Sequence, residues 1–132
     1  MDPRIGRAIA YIDRHFQSKI RLEHLSRASG LSTQHFIYLF KKESGVTFKG
    51  YLKRIRIRTS QELMRDPYLS ITEVCLDVGY QDLTNFERDF KKLTNVTPRD
   101  YRRGLARTPA VPVEPLLGLH VAPVSAAPGD SD

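Results

Sequence analysis

Apolar residues recur along this chain at helical spacing and almost never in strict alternation, so the pattern predicts helices and no strands. Ile5, Ala8, Ile9, Ile12 and Phe16 line one face of a first helix over about 3–17. Asp2 supplies its N-cap, and Pro3 sits at the first helical position, where a missing N–H costs nothing. A short second helix near 22–29 turns Leu22, Leu25 and Ala28 inward and stops at Gly30, which tolerates the positive φ of a helix end. Ser32 caps a third helix, near 33–43, with Phe36, Leu39 and Phe40 inward. Thr47 caps a longer one, near 48–65, which carries Phe48, Tyr51, Leu52, Ile55 and Leu63 and is stopped by Asp66-Pro67. Ser70-Ile71-Thr72-Glu73 has the form of a capping box. It opens a fifth helix near 71–78, with Ile71, Val74, Cys75 and Val78 inward and Gly79 at its end. Asp82 caps a sixth, near 83–93, with Phe86 and Phe90 inward; Thr97-Pro98-Arg99-Asp100 starts a short seventh, closed by Tyr101. The expected fold class is all-α with about seven helices.

The pattern fails after Arg107. Pro, Ala and Gly dominate and neither period survives, so 108–132 is expected to be a disordered or extended tail behind a domain of 1–107. Leu116, Leu117 and Leu119 form an apolar cluster in it, for which a solvated tail is still the simpler expectation. The tail also changes the charge picture. The chain's net charge is +6, but 109–132 holds no Lys or Arg and three acids, Glu114, Asp130 and Asp132. The rest carries 21 basic against 12 acidic side chains, a net charge of +9 that suits a polyanionic partner. A lone cysteine, Cys75, excludes an internal disulfide and a C-x-x-C motif. No apolar run is long enough for a membrane span, and the N-terminus lacks a secretory pattern, so a cytoplasmic location is expected.

The helical pattern repeats at an offset of 50: Phe36, Phe40, Lys41, Lys42, Val46, Thr47 and Tyr51 return as Phe86, Phe90, Lys91, Lys92, Val96, Thr97 and Tyr101. Gly45 becomes Asn95, the next most tolerant residue for a left-handed backbone. Gly30-Leu31 corresponds to Gly79-Tyr80, one residue out of phase. Each half is a short helix, a glycine turn and a second helix with an aromatic inner face, which is the helix-turn-helix arrangement. The first unit covers about 3–46, the linking helix about 47–66 and the second unit about 70–104. An 18-residue linker spans roughly 27 Å at 1.5 Å per residue, against roughly 34–36 Å between successive major-groove faces. With the width of the packed units added, two reading helices can sit one turn of DNA apart.

Over about 3–104 the chain resembles the AraC/XylS family. The stretches that carry the likeness are LEHLSRASGLSTQHFIYLF (22–40), FKKESGVTFKGY (40–51), SITEVCLDVGY (70–80) and NFERDFKKLTNVTPRDYR (85–102). Asn95 and Cys75 depart from the usual glycine and alanine. The resemblance implies a transcription regulator, an activator, that binds asymmetric sites in double-stranded promoter DNA through two major grooves. It implies RNA polymerase as a partner, no cofactor, and an effector-sensing or dimerisation domain elsewhere if this is a fragment.

The candidate contacts follow from the faces left over by the inner stripes. In the third helix these are Thr33, Gln34, Ile37, Tyr38 and Lys41. Gln34 can bond adenine on two atoms, Ile37 can pack on a thymine methyl, and Tyr38 can donate to a base or phosphate. An ordinary solvated face is the bland alternative, but Ile and Tyr side by side are unusual on one. In the sixth helix Leu83, Thr84, Glu87, Arg88 and Lys91 face out. Arg88 suits guanine through its rigid fork; Glu87 could accept from cytosine or merely pair with Arg88 or Lys91. The resemblance places base contacts at Gln34, Ile37, Tyr38, Leu83, Thr84, Glu87 and Arg88. Phosphate contacts are expected at helix N-termini and flanking cations: Ser32, Thr33, Thr47 with Lys49, Thr97 with Arg99, and the equivalent Lys41 and Lys91. Lys53, Arg54, Arg56 and Arg58 spread around the linking helix, and most of them are expected to be solvated.

An enzyme is disfavoured because no motif places Ser, His and acidic residues together. His15, His24, His35 and Cys75 have no metal-ligand spacing, and Cys75 on an inner face reads as inert packing. The runner-up function is a non-specific architectural DNA binder, whose wedge residues and minor-groove arms are missing here.

Overall fold

The computed structural model describes residues 1–105 and 110–111. Seven helices follow one another: α1 (Pro3–His15), α2 (Leu22–Ala28), α3 (Thr33–Ser44), α4 (Phe48–Leu63), α5 (Ile71–Asp77), α6 (Leu83–Thr94) and α7 (Pro98–Arg103). No strand occurs among the described residues. Every expected helix is present, with ends shifted by a residue or two. The caps explain most of the boundaries. Asp2, Ser32, Thr47, Ser70, Asp82 and Thr97 each accept a backbone N–H from the first turn they precede, and Ser70 with Glu73 closes both bonds of the capping box. Asn95 ends α6 at φ 69°, doing in the second unit what Gly45 does at φ 85° in the first.

Two separate cores result. Ile5, Ile9, Ile12, Leu25, Phe36 and Phe40 meet Phe48, Tyr51 and Ile55 in the first. Val74, Cys75, Val78, Phe86, Phe90 and Tyr101 meet Ile57 and Met64 in the second. The linking helix α4 therefore belongs to both, with its N-terminal half in one core and its C-terminal half in the other. Its polar residues Thr59 and Ser60 are buried too, because each hydroxyl donates back to a carbonyl of its own helix, Ile55 O at 2.7 Å and Ile57 O at 2.6 Å. In α2 Leu25 is buried as expected, but the small residue beside it in the interior is Ser26, not Ala28, which is exposed. Ser26 and Cys75 are equivalent in the two units: both are buried, and each side chain meets the start of the next helix, Ser26 Oγ at 3.4 Å from Thr33 Oγ1 and Cys75 Sγ at 3.5 Å from Asp82 O.

Two further departures concern long-range contacts. Val111 is buried in the second core, and its N–H donates to Oε1 of the buried Gln61 at 2.8 Å. The expectation of a solvated tail from 108 onward therefore fails at this residue; 112–132, including the leucine cluster, lies outside the described residues. Of Lys53, Arg54, Arg56 and Arg58 only Lys53 is exposed; Arg54, Arg56 and Arg58 are half-buried, and the partners of Arg56 are described below.

α1 and α4 are also joined by a polar pair: the Tyr51 hydroxyl donates to the Asp13 carboxylate. Burial pushes the Asp13 carboxyl up to about 6, against the lowering effect of the Tyr51 bond. Burial first, then the hydrogen bond to Asp13 and its charge, hold the Tyr51 phenol well above its usual range. A carboxyl whose folded pKa exceeds its unfolded one contributes stability at low pH, which is lost as pH rises through about 4 to 6. Asp13→Asn keeps an acceptor for Tyr51 but cannot ionise. From about pH 4 to pH 7, its stability relative to the wild type is expected to improve by about 1–2 kcal/mol, a figure discounted for partial exposure. Urea melts at several pH values measure this, and a pH-independent gap between the two proteins would refute the assignment.

Candidate nucleic-acid interface

α3 and α6 each follow a glycine turn and pack by one aromatic stripe, Phe36 with Phe40 at 5.9 Å and Phe86 with Phe90 at 5.7 Å between ring centroids. Burying those stripes leaves the opposite face of each helix in solvent. On α3, Gln34, Ile37, Tyr38 and Lys41 are exposed, and Thr33 is half-buried. Ile37 and Tyr38 are 44% and 59% exposed, an apolar display that nothing else in the first unit covers. Lys42 lies 5.7 Å from the centre of the Tyr38 ring, which places a cation beside it.

On α6, Thr84, Glu87, Arg88 and Lys91 are exposed as expected. Leu83 is not free: it is half-buried and packs on the second core. The structure gathers Leu83, Glu87, Arg88, Lys91, Thr97 and Arg99 around one open concavity of 980 Å³, together with Lys92 and Arg102. Five cations against one carboxylate give this concavity a positive potential. Arg88 is 63% exposed, and its nearest carboxylate, Asp89, stands 3.9 Å away, so its guanidinium is free to reorient.

The capping residues add a polarity difference. The N-terminus of α3 is capped by neutral Ser32, exposed and bonded to the His35 N–H at 3.1 Å. The N-terminus of α6 is capped by the Asp82 carboxylate, which takes both the Asn85 N–H and its side-chain amide. The positive helix end is thus open to phosphate in the first unit and neutralised in the second. Thr47 and Thr97 use their hydroxyl oxygens to accept from Gly50 and Asp100, which leaves each hydroxyl proton available; Lys49 and Arg99 beside them are exposed. Pattern reading missed Asp89, a buried acid on the inner side of α6 that accepts from the Tyr80 hydroxyl at 2.8 Å. A lone acid between Arg88 and Phe90 carries no sequence signal for that role. Among the described residues, no group of His, Cys, Asp and Glu could hold a metal ion, and no helix is long and apolar enough to cross a membrane.

Two glycine-turned reading helices joined by a shared linker define a double helix-turn-helix domain. A family model described as a helix-turn-helix domain matches residues 25–104. The regulatory protein PocR of Salmonella typhimurium is 31% identical over 102 residues, 77% of this chain and 34% of PocR. The transcriptional activator RhaS of Escherichia coli is 28% identical over 76% of this chain and 36% of its own length. The C-terminal domain of AraT, a response regulator from Geobacillus stearothermophilus, superposes with a TM-score of 0.74 at 33% identity, over 78% of this chain and 86% of that domain. The chain belongs to the AraC-type helix-turn-helix family. It spans about a third of the length of the curated relatives it matches.

Proposed function

We propose that this chain is the DNA-reading module of a transcription activator, laying α3 and α6 into two successive major grooves on one side of double-stranded promoter DNA. The duplication carries this reading: two equivalent helices expose their outer faces, and each lies beside equivalent cations, Lys41 and Lys91. Gln34, Ile37 and Tyr38 read one groove; Thr84, Glu87 and Arg88 read the other. Leu83, half-buried, contributes an apolar edge rather than a free side chain. Ser32, Thr33, Lys41, Thr47, Lys49, Lys91, Thr97 and Arg99 hold phosphates. An activator acts on RNA polymerase, and a sensing or dimerisation unit lies elsewhere if this chain is a fragment.

Selection of bound duplexes from a random pool tests this. The expected product is an asymmetric site with two conserved blocks whose centres lie about 10–11 base pairs apart. An architectural binder would enrich no sequence, and that outcome would overturn the reading.

A further inference from the structure

The two units of this chain are each complete folds with their own core, yet they are not joined by α4 alone. Arg56, midway along α4, reaches back to the end of α1. Its Nε–H donates to Phe16 O at 2.8 Å, and its Nη2 donates to Ser18 O at 3.0 Å. These are carbonyls at a helix C-terminus, which carry partial negative charge and lack helical partners. The same guanidinium lies 5.7 Å from the centre of the Tyr80 ring, in the turn before α6. The Tyr80 hydroxyl in turn donates to Asp89 on α6 itself, and Lys53 Nζ stands 3.8 Å from that carboxylate. A continuous set of contacts thus runs from the first unit, through the linker, into the second reading helix.

The internal repeat supplies a control. A Cβ added at Gly30, in the first turn, would meet nothing within 4 Å. At Gly79, its counterpart, the Cβ would stand 2.8 Å from Phe16 O and 2.9 Å from Arg56 Nε. Both glycines have positive φ, but only the second is also wedged against the other unit. Tyr80 and Asp89 correspond to Leu31 and Leu39, which pack in the first unit as plain apolar residues. A helix-turn-helix of this chain therefore does not need a polar pair at those positions. The pair occurs only where one unit meets the other.

We propose that Arg56, seated between the end of α1 and the Gly79-Tyr80 turn and coupled to α6 through Tyr80 and Asp89, is a latch that fixes the angle between the two reading helices, so that it sets the half-site spacing this chain accepts. It is a positioning residue and touches no base. The proposal rests on the two-groove reading above. One extra base pair turns the second half-site by about 35° and moves it by about 3.4 Å, a mismatch that a rigid pair of helices resists and a loose pair absorbs.

The experiment uses a selected duplex, versions with one base pair inserted or deleted between its half-sites, and duplexes holding either half-site alone. The proteins are the wild type, Arg56→Ala, and the double variant Tyr80→Leu with Asp89→Leu. The double variant copies the residues of the first unit, so it tests the latch even if Arg56→Ala does not fold. The wild type should lose at least about tenfold in affinity per base pair of altered spacing, and the variants no more than about threefold, with half-site affinities unchanged. Variants that keep the wild-type spacing penalty, or that weaken on every duplex alike, would overturn the latch. A wild type indifferent to spacing would instead bring down the two-groove reading itself.

Discussion

Raising the salt concentration from about 50 to 200 mM is expected to weaken binding to a selected duplex by about a thousandfold, a slope of roughly −5 in log affinity against log salt. That slope corresponds to about six neutralised phosphates at −0.9 per phosphate. The structure offers a matching set of exposed cations at the reading helices and their flanks: Lys41, Lys42 and Lys49 in the first unit, and Lys91, Lys92 and Arg99 in the second. They fall into equivalent places because α3 repeats as α6 and the start of α4 repeats as α7. Counterions released from DNA make the effect nearly independent of sequence, so a scrambled duplex should show a similar slope at lower affinity. Anisotropy titrations at four or more salt concentrations measure it. A slope near zero would defeat nucleic acid as the partner.

Substituting both Arg88 and Gln34 by alanine should cost about 2–6 kcal/mol on the selected site, the sum of about 1–3 from each. The losses should add because the two residues sit on different units and share no partner. Each single change should also relax preference at its own one or two base pairs, about one helical turn from those affected by the other. Arg88 begins from a favourable position. Its 3.9 Å pairing with Asp89 is long and its side chain is exposed, so little is lost in turning it toward a base. Glu87 on the same face then limits which base is accepted, since a carboxylate repels the acceptor edge of guanine and favours the amino group of cytosine. Repeating the selection with each variant reads the outcome directly. If both changes relaxed the same base pair, the two helices would not occupy separate grooves.

Much of this architecture was legible in the sequence, for a definite reason. A helix that packs by one stripe writes its period into the chain, and its cap is a local event, so Phe36 and Phe40, Ser70 with Glu73, and Asn95 all carried their roles openly. α4 was harder. It serves two cores, so its buried positions do not lie on one stripe, and no single period reports Ile57, Thr59, Ser60, Gln61 and Met64. Apolarity marks Ala28 rather than Ser26 for the interior, yet a serine that bonds the Glu23 carbonyl at 3.0 Å is buried without penalty. The exposed faces of α3 and α6 follow from elimination, which works for free side chains but not for Leu83 at the edge of a core. Arg56, Asp89 and Val111 depend on partners dozens of residues away or on an adjoining turn, and no local period reports those.

The seventh helix is the linking helix begun again. Thr47 and Thr97 have nearly identical backbone angles, φ −71° with ψ 158° and φ −73° with ψ 159°, and each is followed four residues later by a buried tyrosine. α4 runs on for 16 residues, whereas α7 stops after 6 at Gly104. Each unit thus ends in the seed of a connector, and the length of that connector decides whether another unit can be carried beyond it. In this sense the domain is a two-member oligomer written on one polypeptide, and its repeating bond is a helix. Growing α7 by the sequence of α4 would lay down the attachment point for a third unit.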